Sequence, residues 1–460
     1  MLILLSRIHK TFYEHGAYES NLSSIFENTF MQKLDHFNHQ NDTHFEQRYF
    51  INDQHFKKNG PLVIMIGGEG EISKSFVTEP YSSYYFAQQL NGLLISLEHR
   101  FYGKSGPEFT NQDIVYLNSQ QTIADYSKFI PFIKEKYNIT KVVVMGGSYP
   151  GSLAAYLRAK LPHLVDAALS SSGPVKAQFN YTQYLIHAQQ QLERYKPECT
   201  QGLQSAYIQV ETLLNGTGKD LAALSTLLGL GAPITTVSTL DKQNILELLT
   251  DPVAGIVQYA KAGDIEGFCD GVIAAGTAEN VISYLAAQAE LTDLYFDQFV
   301  ASLKGLNNSM RSWMWQTCSE FAYFQSAAYE GSIFSKMINL DYFVQMCHDA
   351  YFVDLGISDS VENSYKIIAE VISTTNNQVY GARIIPRDHI YYTNGEVDPW
   401  SELSINAHMT FEDGQFRPKE TEYELIQGGS HCSDLYMSWG QNQPVRERQL
   451  KSLKKWLDIE

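Results

Sequence analysis

The sequence is short of long apolar runs, of paired cysteines and of basic residues, and each shortage excludes a class of protein. Its longest apolar runs, such as residues 61–66 and 142–145, fall well below the roughly 18 residues that a membrane-spanning helix requires. The five cysteines form no C-x-x-C pair, which excludes a zinc ribbon and a thioredoxin-like redox motif. The 34 basic residues are outnumbered by 51 acidic ones, and a surface with a net charge of −17 repels nucleic-acid phosphates and anionic lipids. We therefore expect neither a membrane span nor a nucleic-acid partner.

The composition is that of a large globular protein. Hydrophobic residues make up 44% of the 460-residue chain and charged residues 18%, proportions that fit neither a disordered chain nor a fibre. At roughly 150 residues per domain, the length suggests about three domains or one enzyme core with a large insertion. Met1–Leu5 form only a short apolar stub before the first basic residues, so a complete signal peptide is not evident.

Three continuous apolar runs predict buried parallel strands. Residues 62–66, 93–97 and 142–145 are mostly aliphatic or β-branched and end in glycine or charged residues. The segment between the last two carries apolar side chains at approximate helical spacing over 122–136. A further helix and strand are expected after it, at 149–161 and 165–170. This strand–helix–strand rhythm indicates a parallel sheet with right-handed crossovers, and hence an α/β fold.

A long helical stretch interrupts that rhythm. Its pattern predicts helices at 184–195, 201–214, 243–250, 281–300 and 365–374. Strand character returns at 389–393 and 423–426, and an amphipathic helix at 445–457 follows. We therefore predict two domains, a helical cap and a discontinuous core, at residues 179–383 and at 30–178 with 384–460, respectively.

Gly146–Gly151, with the sequence Gly-Gly-Ser-Tyr-Pro-Gly, follow a buried strand and open a helix. A nucleophile elbow requires that placement, because a tight strand-to-helix turn between small residues lifts a serine hydroxyl above the sheet. The usual pattern is G-x-S-x-G. Here Pro150 stands two residues after Ser148, and proline is tolerated in the first turn of a helix. A Gly-Gly-Ser turn alone is common, so it is the placement that makes Ser148 a candidate nucleophile.

A serine nucleophile needs a base and an acid that orients the base, and the late strands supply candidates for both. Glu396 and Asp398 follow the strand predicted at 389–393, and His431 follows the strand at 423–426. Open α/β sheets place ligands at the carboxyl ends of strands, and the chain order serine, acid, histidine is that of α/β hydrolases. Asp398 is preferred to Glu396 because the proline after it would help to fix its loop.

Six stretches of the sequence are informative when they are taken together. They are Leu34–Phe37, Phe45–Tyr49, Gly67–Glu71, Glu98–Gly103, Gly146–Tyr149 and Asn394–Trp400. In kind and order they resemble the motifs of the S28 serine carboxypeptidase family, most of all its thymus-specific serine protease branch. The resemblance implies an α/β-hydrolase fold with a large inserted helical cap, and a triad of Ser148, Asp398 and His431. It also implies peptide substrates, and it allows a homodimer.

The resemblance and the usual elbow geometry also predict how the substrate is held. The oxyanion hole is expected to use the backbone N–H groups of Tyr149 and Gly68. An apolar pocket would be walled by Trp400, beside the acid, together with Trp315 and Tyr323 from the helical stretch. Core packing explains these three aromatic residues equally well.

The end of the peptide that is recognised depends on charge. Release of N-terminal dipeptides requires a partner for an ammonium group, for which Glu69 is the candidate, with Glu71 and Glu98 as alternatives. Release of C-terminal residues requires a partner for a carboxylate. Acidic residues are more evident near the site than basic ones, which favours N-terminal release. The segment Glu98–Arg100 fits a buried ion-pair cluster better than a binding site.

Cleavage after proline is left open by the sequence. Proline-specific members of the family carry a second histidine after the catalytic one, whereas here Cys432 follows His431. Those members also have methionine where Ser152 and Tyr323 stand here. The expectation is therefore a serine exopeptidase acting on small peptides, with proline as one candidate residue at the cleaved bond.

The resemblance further implies a compartment and a set of modifications. Cys318 and Cys347 resemble a disulfide pair of the family, Cys199 with Cys269 is a second candidate pair, and Cys432 is left over. A lysosomal or secreted location is expected. Glycosylation is then expected at N-x-[ST] sequons, namely at Asn41, Asn138, Asn180, Asn215 and Asn307.

Two other functions share parts of this pattern. A carboxylesterase or lipase would have the same elbow, triad order and sheet. A non-catalytic binding protein derived from a hydrolase usually lacks a triad member, whereas all three candidates are present here. No H-E-x-x-H motif occurs, and Gly229–Gly231 do not continue into G-x-G-x-x-G, so we expect neither a metal nor a dinucleotide cofactor.

Overall fold

The computed structural model describes residues 25–106, 112–305, 309–406 and 418–459. Its strands are β1 (Ile25–Lys33), β2 (His44–Asn52), β3 (Leu62–Ile66), β4 (Leu93–Leu97), β5 (Val142–Gly147), β6 (Ala167–Ser171), β7 (Gln178–Asn180), β8 (Ala322–Phe324), β9 (Ile390–Gly395) and β10 (Glu422–Ile426). Eight of them form one sheet in the order β1-β2-β4-β3-β5-β6-β9-β10, and β7 pairs with β8. In the large sheet β2 is antiparallel to both its neighbours, and the other neighbouring strands are parallel.

Helices surround the large sheet. The described α-helices are α1 (Ser82–Leu90), α2 (Ser119–Tyr137), α3 (Tyr149–Lys160), α4 (Thr182–Tyr195), α5 (Pro197–Leu214), α6 (Gly218–Leu227), α7 (Thr239–Gln258), α8 (Asp264–Ala275), α9 (Ala278–Ala286), α10 (Phe296–Leu303), α11 (Ser309–Gln316), α12 (Leu340–Cys347), α13 (Val361–Val371), α14 (Asn377–Tyr380) and α15 (Gln443–Trp456). Helices α11, α12 and α13 each continue into a π-helical turn, at Thr317–Phe321, His348–Phe352 and Ile372–Asn376. Short 3-10 helices lie at Lys74–Val77, Asp113–Tyr116, Pro399–Leu403, Ser433–Leu435 and Gly440–Asn442.

The central strands are buried because helices cover both faces of the sheet. Every residue of β3, β4 and β5 is buried. Successive side chains of a strand point to opposite faces. Val63 and Met65 of β3 accordingly pack in one core cluster with α1 and α15, whereas Ile64 and Ile66 belong to a second cluster with α2 and α3. The continuous apolar runs seen in the sequence are what two covered faces require.

Strand prediction succeeds in the centre of the sheet and fails at its edge. The strands predicted at 62–66 and 93–97 are present with those bounds as β3 and β4. The β1–β2 hairpin gives no comparable signal, because only Ile25 and Gln32 of β1 are buried. An edge strand with one face in solvent needs no continuous apolar run.

The single helix predicted over 281–300 is wrong. Helix α9 ends at Ala286 and α10 begins at Phe296, with an irregular segment between them. Within that segment Asp293 has a φ of 51°, in the left-handed region. The side chain of Asn244 donates hydrogen bonds to the carbonyls of Asp293 and Leu294, at 2.7 and 3.0 Å, and so holds the turn in place.

The chain leaves the sheet after β6 and returns to it at β9, and helices α4 to α14 lie between these strands. We call residues 179–383 the helical insertion; its division from the core at residues 178 and 384 stays a prediction. Two disulfides cross-link it, Cys199–Cys269 and Cys318–Cys347, as the sequence suggested. Its hydrophobic core is continuous with the core on one face of the sheet. Among the described residues, each helix is too short or too polar to cross a membrane.

The predicted glycosylation sites differ in accessibility. Asn138 and Asn215 are exposed, whereas Asn41 and Asn180 are partly buried. Asn307 lies outside the described residues. The two exposed sites are therefore the better candidates for a glycan.

Candidate active site

Ser148 lies in a strained turn between β5 and α3. Its φ of 63° and ψ of −134° place it in a region that residues with a side chain rarely adopt. Its backbone N–H donates to the carbonyl of Ser171 at the end of β6, 3.0 Å away. A Cβ atom at Gly147 would lie 2.7 Å from Cys432 Sγ, and one at Gly151 would lie 2.6 Å from the Ser171 carbonyl oxygen. The small residues of the elbow are therefore required by close approaches on both sides of the serine.

His431 and Asp398 form a buried pair at the ends of β10 and β9. The histidine Nδ1 lies 2.9 Å from Asp398 Oδ2, and both side chains are 0% exposed. The other carboxylate oxygen accepts the backbone N–H of Trp400 at 2.9 Å. Nε2 of His431 is buried and has no hydrogen-bond partner among the described residues. An imidazole that donates from Nδ1 to a carboxylate presents Nε2 as a proton acceptor.

Glu396, the alternative acid, does not face the histidine. Its carboxylate accepts a hydrogen bond from the backbone N–H of Gly428 at 3.0 Å and pairs with Arg194 at 3.0 Å. Both contacts lower the pKa of Glu396, the first of them more strongly. In the structure, therefore, Asp398 contacts His431, whereas Glu396 does not and is partly exposed.

The serine turn and the histidine loop are in direct contact. Cys432, next to His431, donates its backbone N–H to the hydroxyl of Ser172 at 2.9 Å. Its thiol is buried against Gly147, the residue before the serine. Burial raises the pKa of the Cys432 thiol well above its ordinary value, so the thiol is neutral and serves packing.

The candidate oxyanion donors lie side by side. A Cβ atom at Gly68 would come within 2.6 Å of Pro150 Cγ, so the backbone of Gly68 packs directly on the serine turn. The backbone N–H of Tyr149, the other expected donor, lies close enough to the Glu69 carboxyl to lower its pKa. Burial nevertheless raises the pKa of Glu69 to about 7, because it outweighs the lowering effect of the N–H groups of Glu69 and Tyr149.

An aromatic group surrounds the acid. The Trp400 ring lies 6.3 Å from the His431 ring, centroid to centroid, and 5.3 Å from the Tyr323 ring. Tyr181 and Tyr184 approach the same indole at 5.5 and 5.3 Å. Trp400 and Tyr323, both predicted as pocket walls, are therefore neighbours beside the acid–base pair.

Trp315, the third predicted wall, belongs to a different part of the molecule. Its indole N–H donates to the carbonyl of Leu117 at 3.0 Å, and its ring packs at 5.7 Å on Tyr351. These contacts fix it in the packing between α11 and the segment before α2. These contacts do not support a role of Trp315 as a wall of the substrate pocket, which stays a prediction.

The segment Glu98–Arg100 is structural, as the ion-pair interpretation expects. The Glu98 carboxylate is fully buried and accepts hydrogen bonds from Arg48, from the backbone N–H of Ile72 and from Ser105. The Arg100 guanidinium pairs with Asp125 through two contacts of 2.7 Å. With its oxygen atoms occupied in this way, Glu98 has no place for an ammonium group.

A comparison of the whole sequence with protein families decides the family. The model of the serine carboxypeptidase S28 family matches residues 32–449. The chain belongs to this family. By that membership it is a serine-type peptidase.

Curated relatives of this S28 chain match along most of its length. A serine protease of Caenorhabditis elegans is 31% identical over 450 residues, which cover 90% of this chain and 84% of the relative. The human thymus-specific serine protease is 27% identical over 464 residues, or 93% and 86% of the two chains. The murine lysosomal Pro-X carboxypeptidase is 25% identical over 467 residues, or 93% and 88%. Among solved structures, the alpha/beta hydrolase GrgF from Penicillium matches 95% of this chain and 99% of its own at 12% identity, with a TM-score of 0.39.

Two residues that contact His431 are not marked by any motif in the sequence. The Tyr259 ring lies 6.0 Å from the His431 ring, and the Gln258 carbonyl accepts the His431 backbone N–H at 2.9 Å. Both lie at the end of α7, more than 170 residues before the histidine, and no local motif marks them. Only the packing of the helical insertion onto the sheet brings them to the site.

Proposed function

We propose that this protein is a serine exopeptidase that cleaves small peptides through an acyl-enzyme, with Ser148 as nucleophile, His431 as base and Asp398 as the acid that orients the base. The observation that carries the proposal is the buried imidazole of His431. Its Nδ1 is held 2.9 Å from the Asp398 carboxylate, while its Nε2 has no partner among the described residues. The strained backbone of Ser148, at the end of the central strand β5, is a second support.

The reaction steps follow from these positions. Ser148 Oγ attacks the scissile carbonyl carbon, and its proton passes to Nε2 of His431. The carbonyl oxygen becomes an oxyanion, for which the N–H groups of Tyr149 and Gly68 are the donors. His431 then gives the proton to the leaving amine, so that the C–N bond breaks and an acyl ester remains on the serine. A water molecule that transfers a proton to His431 hydrolyses this ester and restores the enzyme.

Glu69 supports release of N-terminal dipeptides. Its side chain is buried beside the Tyr149 N–H, next to the nucleophile. A free substrate amine reaching this carboxylate would form a charge-assisted hydrogen bond and draw it away from an oxyanion donor. The other acidic candidates are engaged elsewhere, since Glu98 is bound by Arg48, and Glu71 lies 2.9 Å from Arg48 and 3.7 Å from Lys104.

The surroundings of the site support a residue preference and a location. The aromatic group at Trp400 suits a flat apolar residue such as proline at the cleaved bond. Disulfides persist in oxidising compartments, and one relative is named a lysosomal Pro-X carboxypeptidase. These features support a location in the lysosome or outside the cell.

A matched pair of peptides tests the direction of attack. A tripeptide with a free amine should release its N-terminal dipeptide, whereas the N-acetylated form should resist cleavage because it lacks the ammonium group. Undiminished cleavage of the blocked peptide would contradict N-terminal release, and loss of its C-terminal residue would indicate a carboxypeptidase instead.

Turnover of short-chain esters without any peptide cleavage would favour a carboxylesterase. A peptide-library digest read by mass spectrometry then gives the residue preference.

A further inference from the structure

Four hydrogen bonds form a closed ring around the acid–base pair. His431 Nδ1 meets Asp398 Oδ2, and Asp398 Oδ1 accepts the backbone N–H of Trp400, each at 2.9 Å. The indole N–H of Trp400 donates to Gln258 Oε1 at 2.9 Å. The Gln258 carbonyl accepts the backbone N–H of His431 at 2.9 Å and so closes the ring. Three of its members come from the loops after β9 and β10, and Gln258 comes from the helical insertion.

Gln258 is held rigidly in this position. It is the last residue of α7 and only 1% exposed. Its side-chain oxygen accepts a second hydrogen bond, from the hydroxyl of Tyr184 in α4. One amide oxygen thus uses both lone pairs, on a donor from the insertion and on a donor from the acid loop.

We propose that Gln258 is a positioning residue through which the helical insertion fixes the catalytic acid and base. The inference rests on the proposed function, since it concerns the same His431–Asp398 pair. Gln258 holds the base through its backbone carbonyl and the acid through Trp400, whose own N–H holds the Asp398 carboxylate. Because the end of α7 contacts the loops of both residues, it sets the distance between these loops. We expect His431 and Asp398 to be aligned only while α7 packs on the carboxyl ends of the strands.

The side chain of glutamine is needed for this role. Methionine has a similar length and volume but offers no strong acceptor, so Gln258→Met would leave the buried donors of Trp400 and Tyr184 without a partner. The Trp400 loop would then relax, and the Asp398 carboxylate with it. Because Gln258 itself makes no substrate contact in this account, the loss should fall mainly on kcat, and KM should change less, through the relaxed Trp400 loop that lines the proposed pocket.

Steady-state kinetics on purified full-length variants tests the proposal. Gln258→Met should lower kcat by about 10- to 100-fold, the rate loss that matches the cost of leaving a buried hydrogen-bond donor unpaired. The rate at which a fluorophosphonate labels Ser148 should fall in parallel, because this acylation uses the same base and needs no peptide binding. Trp400→Phe breaks the ring at its next link. The double variant should therefore be no slower than the slower single variant, rather than showing the product of the two losses.

Gln243→Met is the matched control. Gln243 is a buried glutamine of the same helix, and its side chain donates to the Met337 carbonyl at 2.8 Å within the insertion, away from the acid–base loops. This variant should lower the melting temperature and leave kcat unchanged. Wild-type kcat in Gln258→Met, an equal loss of kcat in Gln243→Met, or multiplicative losses in the double variant would each overturn the proposal. Failure of the proposed function looks different, because Ser148→Ala would then remain active.

Discussion

At the scale of single residues, the sequence identifies side chains that have a local motif and misses those that do not. Ser148, Asp398 and His431 each follow a predicted strand, so the sequence predicts that all three lie at the same end of the sheet. The sequence favours Asp398 over Glu396 only through the proline that follows it, and the coordinates show Asp398 in contact with His431 and Glu396 in contact with Arg194 and Gly428. Gln258 lies in a helix that is far from His431 in the sequence, and no pattern of residue types predicts the contact between the two residues.

Asp398→Asn separates the two acid candidates by experiment. The amide would keep the size of the carboxylate but would favour the wrong tautomer of His431, and kcat should fall by roughly 10⁴-fold. Glu396→Gln is the control, because Glu396 contacts Arg194 and Gly428 rather than the histidine. Its kcat should stay within a factor of about two of wild type. Equal losses in the two variants would argue against Asp398 as the orienting acid.

Glu69→Gln tests recognition of the substrate amine. Removing the charge should raise KM for a free tripeptide and lower kcat/KM by about 10- to 100-fold, the worth of a charge-assisted hydrogen bond. Glu71→Gln, at a half-exposed residue paired with Arg48 and Lys104, should have little effect. If Glu69→Gln distinguishes free from N-acetylated tripeptides as well as wild type does, Glu69 does not bind the amine.

The raised pKa of Glu69 gives this recognition a pH dependence. Its carboxyl has a pKa of about 7, so it is mostly neutral at pH 5 and becomes charged as the pH rises through 7. The preference for free over N-acetylated tripeptides should therefore increase from pH 5 to about pH 7.5, above which the peptide amine itself loses its proton. The ratio of the two kcat/KM values checks this. A ratio that is constant with pH, or one that still rises in Glu69→Gln, would contradict the assignment.

At the scale of elements, the accuracy of prediction from the sequence depends on how fully an element is buried. Strands β3 and β4 have both faces covered and could be read from sequence to the residue, whereas the edge strand β1 could not. Helices α9 and α10 were indistinguishable from one helix, because apolar residues continue through the turn that Asn244 holds. Family resemblance suggests the Cys318–Cys347 pair, and Cys199 with Cys269 is only a second candidate from the sequence, since spacing does not fix cysteine pairing.

The two disulfides should stabilise the helical insertion to different extents. Cys199–Cys269 spans 70 residues and Cys318–Cys347 spans 29. In the chain-entropy account, removal of the first should lower the free energy of unfolding by about 4 kcal/mol, and removal of the second by slightly less. Paired cysteine-to-serine variants compared by urea unfolding measure this. Unchanged unfolding, or free thiols at these positions in non-reducing peptide mapping, would contradict the pairing.

At the scale of the whole molecule, buried ionisable groups predict greater stability in acid. Burial raises the pKa values of Glu69 and Glu320 to about 7 and lowers that of His99 to about 4. Between pH 4.5 and 7 the two carboxyls hold protons that the unfolded chain has lost, so their contribution falls as the pH rises. His99 acts in the opposite sense between pH 4 and 6.5, because the unfolded chain binds a proton there that the folded chain does not.

The contributions of the two carboxyls outweigh the contribution of His99, so the free energy of unfolding falls as the pH rises. Each shift is worth on the order of 3 kcal/mol, so the net fall from pH 4.5 to 7 is of that same order. The melting temperature should therefore be higher at pH 5 than at pH 7.5. Glu320→Gln keeps one acceptor oxygen for Ser119 but no longer titrates, and it should flatten this slope. A wild-type melting temperature that rises from pH 5 to 7.5 would refute this account.

The most direct test of the account is active-site titration with a fluorophosphonate, followed by peptide mapping. We expect one label per chain on Ser148, loss of peptide hydrolysis in proportion to labelling, and neither label nor hydrolysis in Ser148→Ala at an unchanged melting temperature. Hydrolysis that persists in Ser148→Ala, or stoichiometric labelling of another residue, would contradict the claim that Ser148, His431 and Asp398 carry the reaction.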